Sequence, residues 1–286
     1  MIRIATRGSA LARWQANRVV QLLGAPEHEL VIVTTTGDAR TDAPIHALGG
    51  QGVFVKEVQQ AVLDGRADIA VHSAKDLPAS NPTGAAEGLL LAAIPERADV
   101  RDALVGARLA DLPAGATVAT GAVRRRAQLR ARRPDLRFAE LRGNIDTRLA
   151  KAVDFDAVVV AFAALQRLEQ ASVATDLLGI DVMIPQVGQG ALAVECRYDD
   201  TVTLARLAAI DDAVRHREVE TERAFLACLG GGCDLPVGAL ATLAPDGSIT
   251  LRAFLETDDG PRRTIVHGTD PAAVGTDAAR ALGARP

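Results

Sequence analysis

The feature that most constrains this chain is a repeated switch between two hydrophobic periods. Residues 2–6, Ile-Arg-Ile-Ala-Thr, read as a short strand, and Ser9 is placed to cap a helix whose Ala12, Ala16, Val19, Val20 and Leu23 recur at helical spacing. Residues 30–34 form a second strand. Phe54, Val58, Ala61 and Val62 make a second helical stripe ended by Gly65, and 67–72 is a third strand. Such a β-α-β-α-β run calls for a mostly parallel sheet with both faces covered.

A second unit of the same kind follows the breaker-rich stretch 94–102: strand 116–120, helix 124–132, strand 138–141, a helix over 144–153 that Asn144 can cap, and strand 157–163. Segment 185–197, broken by Gly188-Gln189-Gly190, is expected to return to the first sheet. The period then changes. After a helix over 214–228, the runs 237–243, 249–255 and 263–266 are separated by Asp246-Gly247 and Asp259-Gly260, strong hairpin signals, and 270–282 reads as a closing helix. The expected class is therefore α/β, two β/α domains plus a small α+β C-terminal domain with a three-stranded antiparallel sheet. With 286 residues there is room for three cores.

Hydrophobic residues at 48% and charged residues at 24% exclude disorder, collagen and coiled coil. The net charge of −4 and 3% aromatics disfavour a nucleic-acid binder. The longest apolar run, 157–165, is about half of what a membrane-spanning helix needs, and residues 1–7 do not resemble a signal peptide. Three cysteines, Cys196, Cys228 and Cys233, make no disulfide framework, so a reducing, cytoplasmic setting is expected. No histidine stands in ligand register with them, so no metal is expected. Cys196 and Cys228 are expected to be buried and inert. Cys233, after Gly230-Gly231-Gly232, is expected to be accessible.

Only three of the 32 cationic residues are lysines, Lys56, Lys75 and Lys151. Ligands of open α/β sheets bind beyond the carboxyl ends of strands, at helix N-termini. Here those places carry Arg7, Lys75, Arg124, Arg125, Arg142, Arg148 and Arg167. Singly, each could be a solvated surface residue, and the run Arg124-Arg125-Arg126 with Arg130, Arg132 and Arg133 could be a nucleic-acid patch. Jointly they suit a ligand with many carboxylates or phosphates. Asp76 is the acidic exception, able to neutralise a developing cation or merely to cap the turn into Leu77-Pro78.

Six strings, in order, resemble one family: Arg3-Ile-Ala-Thr-Arg-Gly-Ser9, Gly52-Val-Phe-Val-Lys-Glu57, Asp68-Ile-Ala-Val-His-Ser-Ala-Lys-Asp-Leu-Pro78, Leu141-Arg-Gly-Asn144, Val187-Gly-Gln-Gly190 and Gly231-Gly-Cys-Asp-Leu-Pro-Val-Gly238. That family is hydroxymethylbilane synthase, also called porphobilinogen deaminase. The resemblance implies two periplasmic-binding-protein-like (type II) domains, 1–98 with 187–210 and 99–186, and a third, 211–286, holding a dipyrromethane cofactor by a thioether to Cys233. It implies a cytoplasmic monomer with no metal, no nucleic acid and no membrane. Its transferase reaction joins four porphobilinogen units head to tail with loss of ammonia, then hydrolyses linear hydroxymethylbilane from the primer, for haem and other porphyrins.

By the same resemblance Asp76 is the catalytic carboxylate. Arg7, Ser9, Lys75, Arg124, Arg125, Arg142, Arg148 and Arg167 hold primer or substrate carboxylates. Guanidinium groups suit that task, since they stay protonated and bind carboxylates bidentately. Four positions depart from the pattern. Ala47 and Gln51 stand where members often carry lysine, Ala122 stands where a hydroxyl residue is common, and Asp234 beside Cys233 disfavours its thiolate. The rival reading is a non-catalytic anion-binding protein on the same two-domain clamp.

Overall fold

The computed structural model describes residues 1–286 except 26, 40–51, 53, 80–82, 231–234 and 285–286. In chain order, the first lobe opens with β1 (Ile2–Arg7), α1 (Ala10–Leu22), β2 (His28–Val33), a short α2 (Thr36–Ala39), α3 (Lys56–Leu63), β3 (Ile69–Ser73) and β4 (Leu89–Ala93). The second comprises β5 (Asp102–Val105), β6 (Thr117–Ala119), α4 (Val123–Arg132), β7 (Arg137–Ala139), α5 (Ile145–Ala150), β8 (Ala157–Ala161), α6 (Phe162–Arg167) and β9 (Asp176–Leu178). Then come β10 (Leu192–Arg197), α7 (Thr201–Ala208), α8 (Ala213–Cys228), the strands β11 (Val237–Leu243), β12 (Ile249–Thr257) and β13 (Gly260–Gly268), and α9 (Pro271–Ala281).

The caps are local chemistry read directly. Ser9 accepts from the Ala12 amide and Asn144 from the Thr147 amide, each satisfying a donor that a helix start leaves orphaned. On α1 the expected stripe Ala12, Ala16, Val19 and Val20 is buried. Phe54, expected within the second stripe, lies in the turn before α3.

Two five-stranded sheets share one layout, β2-β1-β3-β10-β4 and β7-β6-β8-β5-β9. In each, three parallel strands are followed by one that runs antiparallel to both its neighbours, β10 in the first sheet and β5 in the second. All five residues of β8 are buried, as a strand covered on both faces requires. Segment 185–197 does return to the first sheet, as β10 between β3 and β4.

Each intruding strand arrives by a crossing between the lobes, and the two crossings run side by side. Arg97 bridges Ala191 antiparallel, and the Ala98 amide donates to the Gly190 carbonyl at 3.0 Å. Gly190 has φ +86, and a Cβ there would meet the Ala98 oxygen at 2.5 Å, so the crossing closes only without a side chain.

The third unit is the expected antiparallel meander β11-β12-β13, with Phe225 of α8 and Val274, Ala278 and Ala279 of α9 buried against Leu251 and Ala253. It is tied to the crossings by Glu222 of α8. That buried carboxylate takes Arg97 at 2.8 and 3.1 Å, the Gly188 amide at 2.8 Å and the Ala241 amide at 2.9 Å. Cys196 is buried, and burial lifts its thiol to about 11. Cys228 departs from expectation. At the last turn of α8 its side of the helix faces outward, and it is exposed, with Sγ 3.5 Å from Thr276 Oγ1.

Candidate active site at the lobe boundary

Where β3 ends, the chain makes one 3-10 turn, Ala74–Asp76, that stops at Leu77 ahead of Pro78. This turn presents Lys75 and Asp76. Its backbone is pressed by the second crossing: Gly188 has φ +72, and a Cβ there would lie 3.0 Å from the Lys75 amide nitrogen. Arg7, Ser9, Gln15, Phe54, His72, Lys75 and Asp76 line one pocket at the end of the first sheet. Arg7 lies with its guanidinium 4.3 Å from the centre of the Phe54 ring, a cation held over an aromatic face.

Both members of the Lys75–Asp76 pair are half-buried. Among the described residues, neither the Asp76 carboxylate nor the Lys75 ammonium has a hydrogen-bond partner. Burial pulls Lys75 down to about 8; the positive charges of Arg125 and Arg148 act the same way, and Asp76 and Asp102 oppose them. Arg148 is pulled to about 10 by burial and by Arg125 and Arg142, against the field of Asp76. The second lobe thus sets Arg125 and Arg148 against the first lobe's lysine and aspartate, with Arg142 acting on Arg148.

Arg148 is steadied by donating from Nε to the Gly143 carbonyl at 2.8 Å. Nη1 of Arg142 is buried with no acceptor. Arg124 and Arg125 are buried and share one acid. Asp102 accepts Arg124 Nη2 at 2.8 Å and Arg125 Nη2 at 2.8 Å, and Gln189 Nε2 completes its shell at 2.9 Å. One carboxylate against two guanidinium groups leaves a net positive charge. The two arginines hold Asp102 well below the usual carboxylate range.

Arg167 stands apart from this group. It is buried, donates from Nη2 to the Gly190 carbonyl at 2.7 Å and lies 5.5 Å from the Trp14 ring centre. Burial lowers it to about 10.

Arg7, Ser9, Lys75 and Asp76 therefore share one pocket; Arg125 and Arg148 act on it electrostatically and Arg142 acts on Arg148; Arg124 stands behind, on Asp102; Arg167 is at the side. Cys233, the expected cofactor anchor, lies outside the described residues, as do Ala47, Gln51 and Asp234. The rest of the arginine run is engaged locally, Arg126 with the Thr120 carbonyl and Glu140, and Arg133 with Asp135.

Sequence reasoning passed over Asp102, Phe54 and Trp14. Asp102 opens an otherwise apolar strand, Asp-Ala-Leu-Val, and an acid in such a strand is the signal of a buried partner. The two aromatic residues carried no signal, since each meets its arginine only through the fold.

Residues 2–205 match the family model described as porphobilinogen deaminase, dipyromethane cofactor binding domain, and residues 216–284 match porphobilinogen deaminase, C-terminal domain. The porphobilinogen deaminase of Brevibacillus brevis is 44% identical over 291 residues, covering 98% of this chain and 93% of its own. That of Syntrophotalea carbinolica is 47% identical over 268 residues, covering 91% and 84%. That of Roseiflexus castenholzii is 45% identical over 292 residues, covering 98% and 95%. A Salmonella typhimurium periplasmic binding protein aligns over 78% of this chain and 96% of its own at 12% identity, with a TM-score of 0.39. With both parts matched to models of one family, and relatives above 40% identity along nearly all of its length, this chain belongs to the porphobilinogen deaminase family.

Proposed function

We propose that this chain is a hydroxymethylbilane synthase in which Asp76 is the catalytic carboxylate and the cations around it hold the acid side chains of a growing oligopyrrole. The observation that carries this reading is a carboxylate with no partner among the described residues, in a pocket whose other charged groups are cations. A protein that only bound anions would gain nothing from an unneutralised Asp76 there, since it repels them. A condensation that builds positive charge on a pyrrole ring needs such a group.

The residues suit a dipyrromethane. Each ring carries an acetate and a propionate, and the buried unpartnered donors Arg142 Nη1 and Arg167 Nε are places an anionic acceptor would satisfy. Arg7, Ser9, Lys75, Arg125, Arg142 and Arg148 would hold it, with Cys233 as its thioether anchor. When bound, the dipyrromethane supplies the pyrrole carbon onto which the first porphobilinogen is joined.

Asp76 accepts hydrogen bonds from pyrrole N–H groups at its carboxylate oxygens and offsets positive charge on the ring beside it. Lys75 and the guanidinium groups fix carboxylates, orienting the reacting ring against Asp76. Arg124, bound to Asp102 and to the Ile184 carbonyl, contributes its field, while Asp102 holds Arg125 in place. Phe54 stiffens Arg7 without neutralising it.

Three further readings belong to the proposal. The domains are taken as 1–98 with 187–210, 99–186 and 211–286. The chain acts as a monomer in the cytoplasm; the free thiols of Cys196 and Cys228 suit a reducing compartment, and no helix among the described residues is long and apolar enough to cross a membrane. Nucleic acid is not taken as a partner, since Arg126 and Arg133 of the basic run pair locally with Glu140 and Asp135.

The test is stoichiometric. Purified protein given porphobilinogen should release one ammonia per molecule consumed and yield the linear tetrapyrrole. Binding of porphobilinogen without ammonia release would favour the anion-binding rival.

A further inference from the structure

Arg167 is a site arginine held by an indole ring rather than by an acid, and that hold has a use. It ends α6 of the second lobe, yet its guanidinium lies 5.5 Å from the ring of Trp14 on α1 of the first lobe and donates from Nη2 to Gly190 in the crossing. The nearest acid influence is Glu96, which is already engaged by Arg18 Nε at 3.0 Å and Nη2 at 2.9 Å, one turn along α1 from Trp14. Among the described residues no carboxylate lies within ion-pair distance of Arg167, and its Nε is buried without an acceptor.

An aromatic face attracts a cation through its quadrupole but carries no net charge, so it holds the guanidinium without cancelling it. A carboxylate in the same place would hold it more tightly and quench it. Resting on the reading above, we propose that Trp14 is a positioning residue for Arg167: its indole stands in for a counter-ion, parking Arg167 across the lobe boundary until an oligopyrrole carboxylate takes the free Nε and draws it off the ring. A growing chain must be accommodated between the lobes, and this contact spans them, so its loss would accompany their adjustment to length.

The chain contains a single tryptophan, so indole fluorescence reports the surroundings of Trp14 alone, and the Arg167 variant isolates this contact. Porphobilinogen added to the intact, primer-bearing enzyme should shift the emission of Trp14 as units are incorporated, and Arg167→Met should remove most of that shift. Because a contact given up on binding opposes binding, Trp14→Leu should lower KM about five- to thirtyfold, the worth of a partly to fully desolvated cation–aromatic contact, with kcat changed less. Trp14→Phe, which keeps a ring, should return KM most of the way to the wild-type value. An emission spectrum that stays fixed while wild-type enzyme consumes porphobilinogen overturns the proposal and leaves the function standing, as does a Trp14→Leu enzyme with wild-type KM. A wild-type protein that consumes no porphobilinogen overturns the functional reading instead.

Discussion

Asp102, the first residue of β5, accepts Nε and Nη2 of Arg125 on one oxygen at 3.2 and 2.8 Å, and both side chains are buried. Its other oxygen holds Arg124. This buried acid keeps two guanidinium groups charged and fixed behind the pocket. Removing one partner of such a group leaves charge buried and uncompensated, which costs roughly 3–5 kcal/mol. Asp102→Asn should therefore lower the stability measured by urea unfolding by that amount. The effect depends on pH. The folded-state carboxyl titrates below its unfolded value, so its contribution is complete above about pH 4 and is lost as pH falls below that. Wild type and Asp102→Asn should converge in stability as the medium is acidified.

Lys75 gives a signature at the other end of the scale. Its value near 8 lies below the unfolded lysine value of about 10.4, so its ammonium is costly below pH 8 and that cost fades as pH rises through 8. The same change removes a cation from the carboxylate site. The pH profile of kcat/KM should show an alkaline limb near 8, and Lys75→Arg should move it up by more than a unit; a limb that stays put assigns it to another group.

Much of this fold was legible in residue order. The stripe Ala12, Ala16, Val19 and Val20, the caps Ser9 and Asn144, and the hairpins at Asp246-Gly247 and Asp259-Gly260 all rest on local physics, and local physics is what periodicity reports. Strands β4, β5 and β9 were not anticipated. They are three to five residues long and exist because distant strands pair with them, Asp102 with both Ala161 and Leu178. The cations were found by their place after strands. Their state was not: sequence order does not show that Arg124 and Arg125 share a buried acid more than 20 residues away, or that Phe54 leaves its stripe to lie against Arg7. Cys228 was misplaced because the burial typical of free cysteine ignores which way the end of α8 faces.

Ala122 occupies the N-cap of α4 in extended conformation without a side-chain acceptor, directly ahead of Arg124 and Arg125. Thr120 Oγ1 reaches only the Ala122 amide, at 3.2 Å, so no side chain caps the first turn, and the Arg125 amide turns to the Ala122 carbonyl at 3.1 Å. Ala122→Ser should raise stability by about 1 kcal/mol, read as a higher urea midpoint at unchanged m-value.

Asp76 is the sharpest test of chemistry as distinct from binding. Asp76→Asn keeps size and hydrogen-bonding reach and removes the charge. Turnover should fall by about 10²–10⁴-fold, the usual worth of a positioned acid–base group, with circular dichroism and unfolding midpoint unchanged. A variant retaining more than a tenth of wild-type kcat would remove Asp76 from the mechanism.

The claim on which the account depends is that a primer hangs from Cys233 and is gripped by these cations. Intact-mass spectrometry of protein made in cells that synthesise porphobilinogen addresses it directly. The wild-type chain should be heavier than its sequence by one dipyrromethane, and Cys233→Ser should have the mass of the bare chain. A wild-type protein at the bare mass, or a Cys233→Ser variant that still carries the addition, would contradict the account.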